Sequence, residues 1–206
     1  MVFAVPLRIL LLCLLHFSTC AVGQDVNPEV LKSIVQRFQS SLASLGQYTV
    51  AFRVERNICL EDSDFPDQNL LDQVRQIIQN NGVYLSNNLI AAKADKDSHQ
   101  HSEYRLKDHL SSIVNSYVGN IDKCVVYFTF NSPCLSKCLS DGRYNIKASL
   151  RRLQRYNGIK AFAFQNIFAW EGGSDDRNAV INRLKWIARS LPYYQCERNQ
   201  AECKRL

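Results

Sequence analysis

His101, Cys134 and Cys138 carry the side chains that could act together on a metal, and Glu103 stands beside the first of them. His101 opens a His-Ser-Glu triplet, and the two cysteines lie in Ser-Pro-Cys-Leu-Ser-Lys-Cys. One neutral imidazole nitrogen and two thiolates are a zinc donor set, and three protein ligands leave a fourth tetrahedral position for water, as catalytic sites do. Zinc so held lowers the pKa of bound water towards neutrality and supplies a hydroxide nucleophile. Glu103, two residues past the histidine, is placed to shuttle the proton. Ser102 and Ser132, next to these residues in the sequence, are candidate substrate contacts. Each half is weak alone. His-x-Glu occurs by chance in many proteins, and two cysteines three residues apart could be a disulfide or unrelated thiols. Their joint order, separation and setting carry the signal.

The elements around them fit. From Glu103 the apolar residues Leu106, Leu110, Ile113, Val114 and Tyr117 recur at helical spacing, which predicts His101 and Glu103 in a first helical turn. Cys124 to Phe130 is short, β-branched and aromatic, as a buried strand is. Pro133 suits a first helical turn, so Cys134 and Cys138 are expected one turn apart at a helix start whose dipole favours thiolates.

At this point the chain resembles the zinc-dependent cytidine deaminase superfamily, with its H-x-E and P-C-x-x-C pairing. Within it the nearest branch is the AID/APOBEC-like polynucleotide deaminases, where Ser-Pro-Cys follows the third strand. The resemblance implies an α/β fold: three α-β-α layers around a mixed sheet of four or five strands. It implies one catalytic Zn2+ on His101, Cys134 and Cys138, with Glu103 as general acid/base, and attack on C4 of cytosine to give uracil and ammonia. The implied partner is single-stranded DNA or RNA, or a free cytidine-type substrate. Exported members exist, which suggests action on foreign nucleic acid in defence. Two residues depart from the pattern: the cysteines are separated by three residues rather than two, and Asn131 stands before Ser-Pro-Cys where vertebrate polynucleotide editors usually carry Trp. Two rival readings follow, a deaminase of free nucleosides or other small amino-heterocycles, and a secreted binding protein that keeps the zinc fold without turnover.

Further residues enter by the same resemblance. Tyr84-Leu85-Ser86-Asn87 resembles the aromatic-Leu-x-Asn whose Asn contacts the sugar beside the target base, so Asn87 is a candidate; an Asn ending a strand is the plain alternative. The loop behind the fourth strand carries a base-stacking aromatic in the family, for which Trp170 is the candidate and Phe168 the runner-up. His99 and His109 are read as ordinary surface or supporting histidines.

Residues 1–23 read as a secretory signal peptide, with Arg8, an apolar run from Ile9 to Phe17 and Ala21-Val22-Gly23 as a cleavage site. No later run is long enough to span a bilayer, so no membrane partner is expected. Losing Arg8 lowers the formal charge of +6 by one, a mildly basic balance that permits an anionic partner without demanding it. Residues 24–206 suffice for a single domain. Of eight cysteines, two leave with the leader and two are assigned to the metal. Cys59, Cys124, Cys196 and Cys203 remain, an even number with three possible connectivities in an oxidising compartment. The superfamily sheet, which sets the end of the first strand beside the start of the third, implies Cys59 with Cys124, leaving Cys196 with its neighbour Cys203.

The pattern also predicts a helix from Pro28 to Gly46, a strand from Tyr48 to Ile58, a helix over Leu70 to Ile78 and one continuous strand from Gly82 to Lys93. Beyond the cysteines it predicts a helix through Ile146, Leu150 and Leu153, a strand over Lys160 to Phe168 and a helix from Asp176 to Ser190. Lys147, Arg151 and Arg155 would line one face of the first of these, either along a phosphate backbone or simply in solvent. The stretch after Pro192 reads as a polar tail without a strand. Oligomeric state is not legible.

Overall fold

The computed structural model describes residues 25–114, 122–170, 173–174 and 176–206. The signal-peptide reading of 1–23 and the helical position of Tyr117 lie outside the described residues. Helix α1 (Pro28–Leu42) starts where expected: Asn27 Oδ1 accepts from Glu29 N at 3.0 Å, with Pro28 at the first position. Gly46, at φ 80°, ends the turn that follows, a conformation that costs glycine little. Strand β1 (Tyr48–Glu55) leads to helix α2 (Gln68–Gln79), capped by Asp67.

The predicted strand from Gly82 to Lys93 is two strands, β2 (Val83–Leu85) and β3 (Leu89–Lys93). Ser86 makes the difference: its N–H donates to the Leu89 carbonyl at 2.9 Å and its Oγ accepts from Leu89 N, closing a tight hairpin at Ser86-Asn87-Asn88. Short helices α3 (Ser102–Arg105) and α4 (Leu110–Val114) precede β4 (Lys123–Asn131). Helix α5 (Lys147–Gln154) and strand β5 (Ile159–Asn166) follow, then the hairpin β6 (Ala169–Trp170) and β7 (Gly173–Ser174), helix α6 (Arg177–Ile187), and strands β8 (Tyr193–Gln195) and β9 (Lys204–Arg205).

The main sheet has the order β2-β3-β1-β4-β5-β8-β9. It is mixed: β4, β5 and β8 run parallel and the remaining pairs antiparallel. Seven strands exceed the four or five expected. Besides the split second strand, the tail after Pro192 supplies β8, whose Tyr193, Tyr194 and Gln195 are all buried. Two tyrosines read as polar at the end of a chain, yet here they fill the core, and Tyr193 Oη donates to the carbonyls of Leu184 and Ala188 at the end of α6.

Alternating residues separate two cores. Val50, Phe52, Val126 and Phe128 face α1 and α2, whereas Ala51, Val125, Tyr127, Phe162 and Phe164 face α3 to α6. The α/β class and the three α-β-α layers are therefore as expected. Gly158 is needed before β5, since a Cβ there would lie 2.5 Å from the Lys123 carbonyl. No described helix is long and apolar enough to cross a membrane.

Both disulfides form, Cys59–Cys124 from the turn after β1 to the start of β4 and Cys196–Cys203 around the β8–β9 connection. The second loop is tied to α1, because Cys203 N donates to the Pro28 carbonyl and Lys32 Nζ to that of Glu197. Restricting an unfolded chain over a separation of 65 residues is worth about 4 kcal/mol, and over 7 about 2 kcal/mol. Replacing both members of each pair by alanine is expected to lower the denaturation midpoint more for Cys59 and Cys124 than for Cys196 and Cys203; the reverse order in thermal or urea unfolding would contradict the assignment.

Candidate active site

The site lies at the carboxyl ends of the parallel strands β4 and β5, where open α/β sheets hold their ligands. The ligand turn follows β4 directly: Asn131 ends the strand, Ser132 N donates to the Asn166 carbonyl at 2.7 Å, and residues 135–138 make a single turn. This corrects the expected helix start at Pro133, for α5 begins only at Lys147. Leu139 N reaches back five residues to the Cys134 carbonyl at 3.0 Å, and Cys138 N contacts Cys134 Sγ at 3.5 Å, so the turn closes on the sulfur instead of entering a helical ladder. A helix dipole therefore has no part in activating these thiols. The helix expected from Glu103 is also interrupted. His101, extended at φ −70° and ψ 151°, is the N-cap of the four-residue α3, and residues 106–109 turn before α4.

His101, Cys134 and Cys138 nonetheless converge, with potential ligand atoms all within 4.8 Å of one another. His101 Nδ1 lies 3.2 Å from Cys138 Sγ and 3.6 Å from Cys134 Sγ, and the sulfurs are 3.7 Å apart. Tetrahedral zinc with bonds of about 2.3 Å to sulfur and about 2.0 Å to nitrogen needs about 3.8 Å between sulfurs and about 3.5 Å between sulfur and nitrogen. The residues fit the ion. The sulfurs are too far apart to be bonded, so the disulfide alternative for this pair is excluded. His99, exposed at φ 54°, and the half-buried His109 stay outside the ligand group.

The thiols share their protons unequally. The Cys138 S–H bond to Cys134, reinforced by His101, holds the Cys134 thiol down to about 3, while giving that bond and being buried push Cys138 up. His101 is raised in turn, first by its bond to Cys134. A pocket that already favours a thiolate beside an imidazole is prepared for a cation.

Glu103 is completely buried, and burial raises its pKa from the ordinary carboxylate value. Its Oε2 is 3.1 Å from Ser102 Oγ, and its Oε1 has no protein partner. Ser102 was expected to touch substrate; instead its hydroxyl is buried and turned inward, 2.7 Å from Thr49 Oγ1. The chain continues through Thr129 Oγ1, 3.2 Å from Thr49, to the Asn131 carbonyl. Each hydroxyl has one proton to give. With Glu103 protonated, donation can run from Glu103 through Ser102, Thr49 and Thr129 to Asn131 without a break. With Glu103 ionised, Ser102 must donate to it and Thr49 to Ser102, and the Thr49–Thr129 link then lacks its donor. Burial favours the acid, and the Ser102 hydroxyl that donates to Oε2 opposes it in part. The network members Thr49 and Thr129 escaped the sequence reading because only the β1–β4 register, which pairs them, makes them neighbours.

Other candidates are placed as follows. Phe168, half-buried, lies against His101 with ring centroids 5.8 Å apart, and its N–H donates to Ser132 Oγ at 2.9 Å. Ser132 is thus occupied in shaping the loop. Trp170 pairs with Gly173 in the β6–β7 hairpin, and its side chain is outside the described residues. Asn131 Oδ1 accepts from Asn166 and its N–H donates to Gln47, which makes the site's rim polar where an aromatic was absent from the sequence. Asn87 is not brought to the site. It is exposed in the β2–β3 turn, beyond Leu89, which pairs with Phe52, whereas the site adjoins the Tyr48–Lys93 end of that ladder. Four residues of strand, about 13 Å, separate these ends, and the expected sugar contact is corrected.

Residues 28–206 match the family described as Secreted Novel AID/APOBEC-like Deaminase 1. The chain belongs to that family. No curated protein and no solved structure matches it significantly. The α/β fold and the meeting of His101, Cys134 and Cys138 fit membership in this AID/APOBEC-like deaminase family, and two disulfides fit the secreted character in its name.

Because burial raises Glu103, the acid form is favoured on folding, and the associated stability is present below pH 4.5 and is lost as pH rises through the folded value. In metal-free protein, Glu103→Gln is expected to match wild type in acid and to become the more stable as pH rises towards neutrality. A constant difference in unfolding midpoint across that range would contradict this.

Proposed function

We propose that this secreted protein is a zinc-dependent hydrolytic deaminase that converts cytosine to uracil in single-stranded nucleic acid. The observation that carries the reading is a buried carboxyl oxygen, Glu103 Oε1, without a protein partner beside three converged zinc-type donors. His101, Cys134 and Cys138 would hold the zinc. Bound there, zinc acts as a Lewis acid that makes water a nucleophile near neutral pH. Glu103 supplies the proton movements: it accepts a proton as the C4–O bond forms, delivers it to N3, and assists protonation of the amino group that leaves as ammonia. Burial moves its pKa up from the ordinary carboxylate value, the direction wanted of a group that both takes and returns a proton. Ser102 and Thr49 hold the carboxyl in place, and Phe168 beside His101 offers an apolar face for the base.

A free nucleoside is the second reading, favoured by Asn131 and its bond to Asn166 where the polynucleotide editors carry an indole. Action in defence follows from the family resemblance to exported editors and belongs to the same proposal.

The mature protein is expected to contain one zinc per chain, His101→Ala to lose it, and Glu103→Gln to keep it. Wild type should release uracil from single-stranded DNA or RNA, or from cytidine on the second reading, and Glu103→Gln should be slower by at least about 100-fold. Equal behaviour of wild type and Glu103→Gln on every such base would instead establish a zinc-fold binding protein without turnover.

A further inference from the structure

The two helical layers differ in charge. Helix α5 with its C-cap Arg155, and α6 extended to Arg189, carry Lys147, Arg151, Arg152, Arg177, Arg183 and Lys185 besides those two residues, and no acidic side chain. Helices α1 and α2 on the opposite face mix both signs. Within the basic layer, Lys147 does not join the exposed row expected from its spacing with Arg151 and Arg155. It is buried and paired with Asp141. The same carboxylate approaches Arg183, and both cations lie over the ring of Trp186, Arg183 at 4.4 Å from its centre and Lys147 at 5.8 Å.

Trp186 is nevertheless 66% exposed, the most exposed large apolar side chain among the described residues. An indole fixed by two cations and left in water is not core packing. Lys185 and Arg189, both exposed, flank it along a groove of about 610 Å³ that also includes Asn182 and Arg205, and Arg151 and Arg155 line the adjoining depression. Arg183 Nε donates to the Leu139 carbonyl, one residue past Cys138, so the patch is joined to the ligand turn.

We infer that the α5–α6 face is a binding surface for single-stranded nucleic acid, separate from the metal site, with Trp186 stacking on a base and Lys185, Arg189, Arg151 and Arg155 neutralising phosphates. The charge calls for a polyanion. The exposed indole favours one with flat π faces on which it can stack, which every nucleobase has and the puckered, sulfated rings of a glycan or a lipid headgroup lack. The inference deepens the proposed function, on which it rests for the use of the strand as substrate; binding itself can be tested without turnover.

The test uses the mature protein carrying Glu103→Gln and Trp170→Phe, so that Trp186 is the sole fluorophore of the two tryptophans. A short single-stranded oligonucleotide is expected to quench its emission, and a heparin oligosaccharide of equal charge to leave it unchanged. In anisotropy titrations Trp186→Ala should weaken oligonucleotide binding about tenfold at unchanged salt dependence. Lys185→Ser with Arg189→Ser should flatten the slope of log affinity against log salt by about 1.4, two phosphate contacts at about 0.7 each. The inference is overturned if these variants bind as the parent does, or if the glycan quenches Trp186 equally. In the Glu103 background the pair Lys185→Ser and Arg189→Ser should leave turnover of free cytidine unaltered. Strand binding without any deamination by the wild-type chain would refute the proposed function and leave this surface standing.

Discussion

Withdrawal of the Glu103 carboxyl from water is the constraint on which the rest of the site depends. A carboxylate in such a place costs several kcal/mol unless it is neutralised or met by donors. The fold answers on one side only, with Ser102 on Oε2 and Thr49 and Thr129 behind it. The other oxygen has no protein partner, and the charges of Glu103 and of His101, Cys134 and Cys138 act on one another. A structural zinc would need no such group. Stability is given up to keep one acceptor open, as is common where pKa values are tuned for proton transfer.

That arrangement depends on the sheet. Pairing of Thr49 with Thr129 sets the floor of the hydroxyl chain, and the parallel partner β5 supplies Asn166, which fixes Asn131 and the Ser132 backbone before the ligand turn. A one-residue slip of β1 would point Thr49 into the opposite core and Val50 at Ser102. The Cys59–Cys124 bridge joins these two strands at the far end of their ladder, where Val54 pairs with Cys124. Covalent closure at one end and a hydrogen-bonded network at the other hold a single register between them.

The two faces of the sheet have divided their tasks. Helices α1 and α2 cover one core and are tied to the C-terminal loop by Lys32 and the Pro28 carbonyl, an entirely structural arrangement. The site and the basic layer share the other core, where Arg183 contacts the ligand turn and Trp186 at once. Retaining a long cationic side chain between the two regions makes them neighbours without merging them.

The sequence by itself determined the donor set, the acid/base candidate and the four disulfide cysteines, because residue type and short-range spacing specify donor chemistry and amphipathic faces; the three-layer class came with the family resemblance that these residues carry. Tertiary structure decided the rest. Ser102 was read as a substrate contact and turned inward once β1 offered it Thr49; Asn87 was placed by motif and removed by the β2–β3 hairpin; Lys147 left its expected row for Asp141. The tyrosines after Pro192 became a core strand only because β5 had a free edge to receive them. Each outcome rests on contacts between residues far apart in the chain, and these follow from strand order and register, which local periodicity does not encode.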